Sequence, residues 1–416
     1  MPKKYKKTLA ACCFGYVTQS IVVNLAPLFF IIFKRDFGFS YSFIASIVLA
    51  TFVIQIAVDA LSVKFMGTLG YRRCAILSQI FSASGLLMLG VLPGITGNAH
   101  IAVLVSVVLY SIGGALVEVV ISPIVDSLPT ESGSASMSFL HSFYSWGQVA
   151  VILITTFLLI LIGESAWYVI PLIWTALPAL CAALFFKVPI IEPEPQNAVK
   201  VTGRLFGRKI FILTMILMIC AGASEQIMAQ WASIFCENGL GVTKVVGDLL
   251  GPCLFAAFMG VGRTWYGIKG DKIDLRRAMI FCSSLTIACY LLTVFSGNSV
   301  ASLAGCALCG LGVSLLWPGM LSLSSATFPD GGPAMFSYLA LGGDVGCALG
   351  PYIAGIVSDR VSESEFGQSL AASTSSGIDE ISLKAGILAG IVFPIIMLTG
   401  ALLLGKKSNN ESGALK

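Results

Sequence analysis

"DALSVKFMGTLGYRRCAI" (Asp59–Ile76) and "RTWYGIKGDKIDLRRAMI" (Arg263–Ile280) are two versions of one phrase, set 204 residues apart. The arginine pairs Arg72–Arg73 and Arg276–Arg277 superimpose on that shift. Each phrase follows an apolar stretch and leads into another. Other pieces repeat as well: "FGYVTQS" is answered by "AGASEQI", which aligns Gly15 with Gly222 and Gln19 with Gln226. "FGFS" (Phe37–Ser40) is answered by "LGVT" (Leu240–Thr243). The chain is written twice, both times in the same direction.

What is repeated is membrane-spanning. The 416 residues are 56% hydrophobic and 11% charged, whereas an ordinary soluble protein is about a quarter charged. The apolar residues gather into stretches of about 20, the length that crosses about 30 Å of hydrocarbon at 1.5 Å per residue. There are twelve: Thr8–Phe33, Tyr41–Phe65, Cys74–Pro93, His100–Leu128, Met137–Gly163, Trp167–Phe186, Ile210–Phe235, Thr243–Tyr266, Ala278–Gly297, Ser299–Thr327, Ala334–Asp359 and Ala385–Gly405. Six fall in each copy. The expected fold is an all-α membrane protein, with twelve transmembrane helices in two parallel six-helix halves. The halves are residues 1–187 and 210–416, the second ending in a short cytoplasmic tail. They are joined by the linker 188–209, which is polar, rich in Pro and Lys, and lacks an apolar period.

Lysine and arginine give the orientation. With the N-terminus inside, 20 of the 25 fall in cytoplasmic segments, counting Arg263 to Arg277 among them. Five lie outside: Lys34, Arg35, Lys244, Arg360 and Lys384. The bias predicts a multi-pass protein of the cell membrane with both termini cytoplasmic. The net charge of +4 thus reports topology and gives no hint of nucleic-acid binding. "MPKKYKKTLAACCFGYV" carries too long an apolar run for a cleaved signal and reads as a retained first helix. The twelve cysteines sit almost all in apolar stretches, where they pack as small hydrophobes. "CALC" (Cys306–Cys309) has no second ligand pair. With two histidines, no Walker loop and no nucleophile triad, the chain is expected to be no enzyme and to hold neither metal nor cofactor.

Polar residues inside the spans carry the functional signal, because a carboxylate in hydrocarbon costs about 2.5–3.5 kcal/mol on insertion scales. In "GGALVEVVISPIVDSLP" (Gly113–Pro129), Ser111, Gly114, Glu118, Ser122 and Asp126 fall on one helical stripe, with aliphatic residues on the other faces. Such a stripe lines a cavity or meets a donor on a neighbouring helix. His141, Tyr144 and Gln148 form a similar face at i, i+3 and i+7; His141 alone reads more often as a core histidine, and within this stripe equally as a functional one. Ser20 and Asn24 share a face of the first span. Gly222, Gln226 and Gln230 share one in the seventh, with Glu225 and Trp231 beside it. Trp317, before Pro318, lies too deep in its span for an interfacial anchor and suits stacking on a substrate. Asp344 stands among Gly342, Gly343, Gly346 and Gly350, which suit close helix packing. Leu341 breaks the GxGD pattern of intramembrane aspartyl proteases, and no partner "YD" occurs.

Two parallel six-span repeats, and a "GTLGYRR" loop that resembles the basic loop between spans two and three, are similar to the major facilitator superfamily. By that resemblance Asp59, Arg72, Arg73, Arg276 and Arg277 belong to its gating loops. Within the superfamily, "VEVVISPIV", "HSFYSWG", "WPGMLSL" and "GIVSD" resemble the L-fucose/proton symporter family. The resemblance implies proton coupling at Glu118. It also implies sugar contacts at His141, Tyr144 and Trp317, with Asn24, Gln148, Gln226 and Trp231 as further substrate-binding candidates. That family carries a proton-coupling aspartate in the first helix, where this chain has Asn24. An amide cannot titrate, so either Glu118 suffices, or coupling is lost, or, as favoured here, a second coupling charge sits at Glu225 or, less favoured, Asp344.

The expected function is secondary transport of a small polar solute, a sugar above all, in symport with protons. The protein is expected to act as a monomer in a lipid bilayer, with no nucleic-acid partner. A proton-coupled drug or metabolite exporter is the alternative within transport. A transport-inactive membrane sensor is the alternative of another class.

Overall fold

In a computed structural model, residues 1–39, 41–130, 132–192, 198–234, 249–374 and 377–413 are described. The expected start of the eighth span, the repeat piece Leu240–Thr243 and Lys244 lie outside the described residues. Among the described residues all regular structure is helical, and eleven helical stretches are long and apolar enough to cross a membrane. The part of the eighth span that is described, Leu249–Lys269, opens with a wide π turn at Pro252 and continues as an α-helix from Leu254.

The chain divides into two compact units, residues 1–208 with 325–341, and residues 209–324 with 342–416. The first unit contains α1 (Lys3–Asn24), α2 (Phe30–Phe37), α3 (Tyr41–Leu69), α4 (Tyr71–Ile95), α5 (Ala99–Asp126), α6 (Gly133–Ile162) and α7 (Val169–Lys187). Its first span is not one helix. Pro27 has no N–H to continue the ladder, and a 3₁₀ turn, Ala26–Phe29, separates α1 from α2. Behind that break Phe29, Phe33, Phe39 and Trp167 are buried in a knot of aromatic rings, Phe33 and Trp167 being 5.0 Å apart edge to face. The start of α5 is capped by Asn98, whose side chain accepts from the N–H of Ile101 at 3.2 Å, as an N-cap should.

The linker corrects the sequence reading. Residues Ala198–Phe206 form a helix, α8, and Val201 and Leu205 are buried at i and i+4. An apolar period of two residues suffices for so short an element. Thr202 Oγ1 lies 3.2 Å from the Tyr338 hydroxyl, and the rings of Phe206 and Tyr338 meet edge to face at 5.0 Å. Segment 325–341, placed in the second half by sequence, therefore packs within the first unit.

The second unit holds α9 (Lys209–Ile234), α10 (Leu254–Lys269), α11 (Leu275–Phe295), α12 (Ser299–Val313), α13 (Leu316–Thr327), α14 (Gly332–Glu363), α15 (Glu365–Thr374), α16 (Ile378–Ala389) and α17 (Val392–Gly413), with the end of α13 and the start of α14 belonging to the first unit. Here too a span is broken, between α12 and α13, just before Pro318. The packing of α14 on α9 depends on glycine. A Cβ on Gly346 would overlap the carbonyl of Ile219, and one on Gly222 would overlap that of Gly343.

The repeated arginines have the same role in both units. Arg72 Nη1 donates to the carbonyls of Phe185 and Phe186, at 2.7 and 3.2 Å, at the end of α7. Arg276 donates to the carbonyls of Ala401 and Leu402 on α17, both at 2.8 Å. Glu192 completes the first tie by accepting from the N–H groups of Tyr71 and Arg72 at the start of α4, at 2.5 and 3.1 Å.

Candidate functional site

The predicted stripe of α5 faces polar residues of α1 and α6 within the first unit. Gln19 Nε2 donates to Glu118 Oε2 at 3.3 Å, and Gln19 itself is buried. Gly114, one turn earlier on α5, leaves room for that amide: a Cβ there would lie 2.5 Å from Gln19 Oε1. One turn on from Glu118, Ser122 Oγ lies 2.8 Å from the Tyr16 hydroxyl, which is also 3.2 Å from His141 Nε2. The Tyr16 and His141 rings pack with centroids 4.6 Å apart. Asp126 ends the stripe and accepts from Ser325 Oγ at 2.6 Å.

The α6 face is joined to α1 through the backbone as well. Ser20 Oγ donates to the carbonyl of Tyr144 at 2.5 Å. Gly147 lets the two helices approach, since a Cβ there would lie 2.7 Å from Ser20 Oγ and 3.2 Å from Val17 Cα. Tyr144 is half-buried and Gln148 buried. Asn24 Nδ2 donates back to the carbonyl of Ser20 at 2.9 Å, on its own helix. Deeper in α1, Thr18 Oγ1 donates to Gln79 Oε1 at 2.9 Å. Glu118, Tyr16, Gln19, Ser20, Ser122 and His141 therefore make one polar cluster in an apolar bundle. It offers a carboxylate, an amide, two hydroxyl types and an imidazole, which together can exchange a proton and hydrogen-bond a polyol.

Tyr16 and Gln19 were not among the predicted site residues. A tyrosine in a membrane helix reads as packing, and Gln19 had entered only as one half of the repeat. The Gln19–Gln226 match was the signal available for it.

The remaining predicted residues lie in other places. Asp59 is within α3 and fully buried, one turn from Ser62, whose Oγ lies 2.7 Å from Ser337 Oγ. Arg73 and Arg277 are exposed; the Arg277 backbone N–H is taken by Asp274 at 2.8 Å. In the second unit Gln226 and Trp231 are at most half-exposed, Trp231 beside Gly355. Asp344 is buried among its packing glycines, and Trp317 is buried with its ring against Gly343. Glu225 Oε2 accepts from Arg263 Nη2 at 2.9 Å. That overturns the assignment of Arg263 to a cytoplasmic loop: it is an α10 residue with 2% of its side chain exposed.

No cluster of His, Cys, Asp and Glu suited to a metal occurs among the described residues. Near the membrane surface the guanidinium of Arg35 is held protonated beyond its usual range by hydrogen bonds to Asp36 and Glu164.

The sequence profile of the Major Facilitator Superfamily matches residues 9–351 and, in a second overlapping match, 250–412. "Membrane protein MosC" of Rhizobium meliloti is 24% identical over 359 residues, covering 86% of this chain and 85% of that protein. Among solved structures, a single-residue variant of the fucose:proton symporter FucP of E. coli is similar with a TM-score of 0.75 at 15% identity. The alignment covers 96% of this chain and 99% of that one. The proton:xylose symporter XylE bound to 6-bromo-6-deoxy-D-glucose gives a TM-score of 0.72 at 14% identity, covering 96% and 94%.

Proposed function

The chain belongs to the Major Facilitator Superfamily, and from that premise we propose that it moves a sugar together with protons by alternating access. The observation that carries this reading is Glu118 in mid-helix, held by the Gln19 amide beside the Tyr16–Ser122–His141 group. A carboxylate beside an amide, hydroxyls and an imidazole is placed to lose and regain a proton. The hydroxyls and imidazole around it match the hydrogen-bonding needs of a sugar, and Tyr16 adds an aromatic surface of the kind that suits a sugar's apolar ring face. That two structures of the same fold are titled sugar:proton symporters supports the choice of solute. His141, Tyr144 and Gln148 are assigned to the sugar with Asn24, Gln226, Trp231 and Trp317, and Glu118 to the proton. The Lys and Arg bias supports both termini lying in the cytoplasm, and a monomer in the cell membrane belongs to the same proposal.

The test is uptake into proteoliposomes of a panel of labelled sugars, with and without a pH gradient. Gradient-driven accumulation of one sugar is expected. Glu118→Gln should lose accumulation and keep exchange. Efflux driven by an opposing gradient would identify an exporter instead, and transport in neither direction would favour a sensor.

A further inference from the structure

Among the described residues Arg263 is the bulkiest fully buried side chain, and it has no part in the transport reading above. A charge at such depth is costly and needs a reason. One partner is Glu225. Another is main chain: Arg263 Nε donates to the carbonyl oxygen of Ser314 at 3.0 Å. In an unbroken helix that oxygen would accept from the N–H four residues on. The residue four on is Pro318, which has none. The span breaks there, α12 ending at Val313 and α13 starting at Leu316. The guanidinium supplies the donor that proline removes. Gly262 admits the turn to α10, since a Cβ there would lie 2.5 Å from Ser314 Oγ and 2.7 Å from Ser314 Cβ. Leu315, Leu316 and Trp317 separate the held carbonyl from the proline, and the Trp317 ring rests where a Gly343 side chain would be.

We infer that Arg263 is a positioning residue for Trp317: it fixes the break in span ten by binding the Ser314 carbonyl, and Glu225 aims it. One guanidinium reaches both partners because its donors are spread over a planar fork; an ammonium is a point charge on a flexible stem. The inference rests on packing inside the second unit and holds for any solute, so it can fail while the sugar reading stands, and the reverse.

The signal of Trp317 is the difference in emission between the purified protein and its Trp317→Phe counterpart, together with its quenching by acrylamide. In a Glu225→Gln background, where loss of Arg263 strands no carboxylate, Arg263→Met should shift that emission to longer wavelength and raise its quenching. Pro318→Ala returns an N–H that can reach the Ser314 oxygen from within the helix. Relative to Pro318→Ala alone, adding Arg263→Met should then leave the Trp317 signal unchanged. Arg263→Lys in the otherwise unaltered protein keeps the charge beside Glu225, and with it the fold. It carries the same expectation: a shifted Trp317 signal, absent when Pro318→Ala is present. An unshifted signal in Arg263→Met or Arg263→Lys, or equal shifts with and without Pro318→Ala, overturns the inference.

Discussion

Replacing Tyr16 by Phe removes one oxygen and leaves the ring. That oxygen lies 2.8 Å from Ser122 Oγ and 3.2 Å from His141 Nε2, and all three residues are buried. The two partners should respond differently. Ser122 can turn its hydroxyl back to the carbonyl four residues before it on α5, so its loss is offset locally. The His141 Nε2 atom points off its own helix toward α1, so its bond to Tyr16 is harder to replace. Side-chain hydrogen bonds between membrane helices average about 0.6 kcal/mol and reach about 1.7, while stranding a buried polar group costs about 1–3 kcal/mol in soluble proteins. The lower scale applies because the reference state in the bilayer also finds partners. Tyr16→Phe should therefore destabilise the first unit by about 1–1.5 kcal/mol, nearly all of it through His141, a factor of about ten in equilibrium at the upper end. Double-mutant cycles with His141→Leu and Ser122→Ala, read by SDS-induced unfolding in mixed micelles, separate the two terms. Coupling of about 1 kcal/mol to His141 and less than about 0.5 to Ser122 is expected. A Ser122 coupling as large as that of His141 would refute the reasoning.

Gly147→Ala places a methyl group 2.7 Å from Ser20 Oγ and 3.2 Å from Val17 Cα on α1, and should cost about 1–3 kcal/mol in the same unfolding assay; an unchanged midpoint would mean the helices are further apart. Arg72→Met removes hydrogen bonds to two carbonyls at the end of α7, and Arg276→Met removes them to two carbonyls within α17. Both should lose about 1 kcal/mol through the lost hydrogen bonds, and a loss confined to one of them would contradict the shared role. Trp317→Ala should weaken sugar binding to correctly inserted protein, measured by equilibrium dialysis; unchanged affinity would leave Trp317 a packing residue. Proton-driven uptake by Glu225→Gln and Asp344→Asn, each beside Asn24→Asp, locates the second coupling carboxylate, and normal coupling in both would mean that Glu118 suffices.

The α5 stripe could be read from sequence because a single helix imposes its own period: Gly114, Glu118 and Ser122 had to share a face whatever surrounded them. What met that face could not be read. Tyr16 and Gln19 reach it only because Gly114 and Gly147 let α1 come close, and closeness between helices leaves no local pattern. Arg263 was misplaced for a related reason. It stands near the end of an apolar stretch, next to a basic loop, so its charge read as topology. Its burial is set by Glu225 and by the carbonyl left free at Pro318, both far away in sequence. Proline itself was an ambiguous mark: Pro123 and Pro351 lie inside continuous helices, whereas spans break at Pro27 and Pro318.

A gene copied once carries its own record of what could change. Arg72 and Arg276 coincide under the 204-residue offset, and each donates to main-chain carbonyls of the last span of its copy. Position 59 and its image, position 263, have parted completely: aspartate in one copy, arginine in the other. The two copies share the clasp and differ in the interior charge. Two copies that had stayed identical would have had no means of dividing labour between a carboxylate held by an amide and one held by a cation. Position 263 is one place where the two copies differ in that respect.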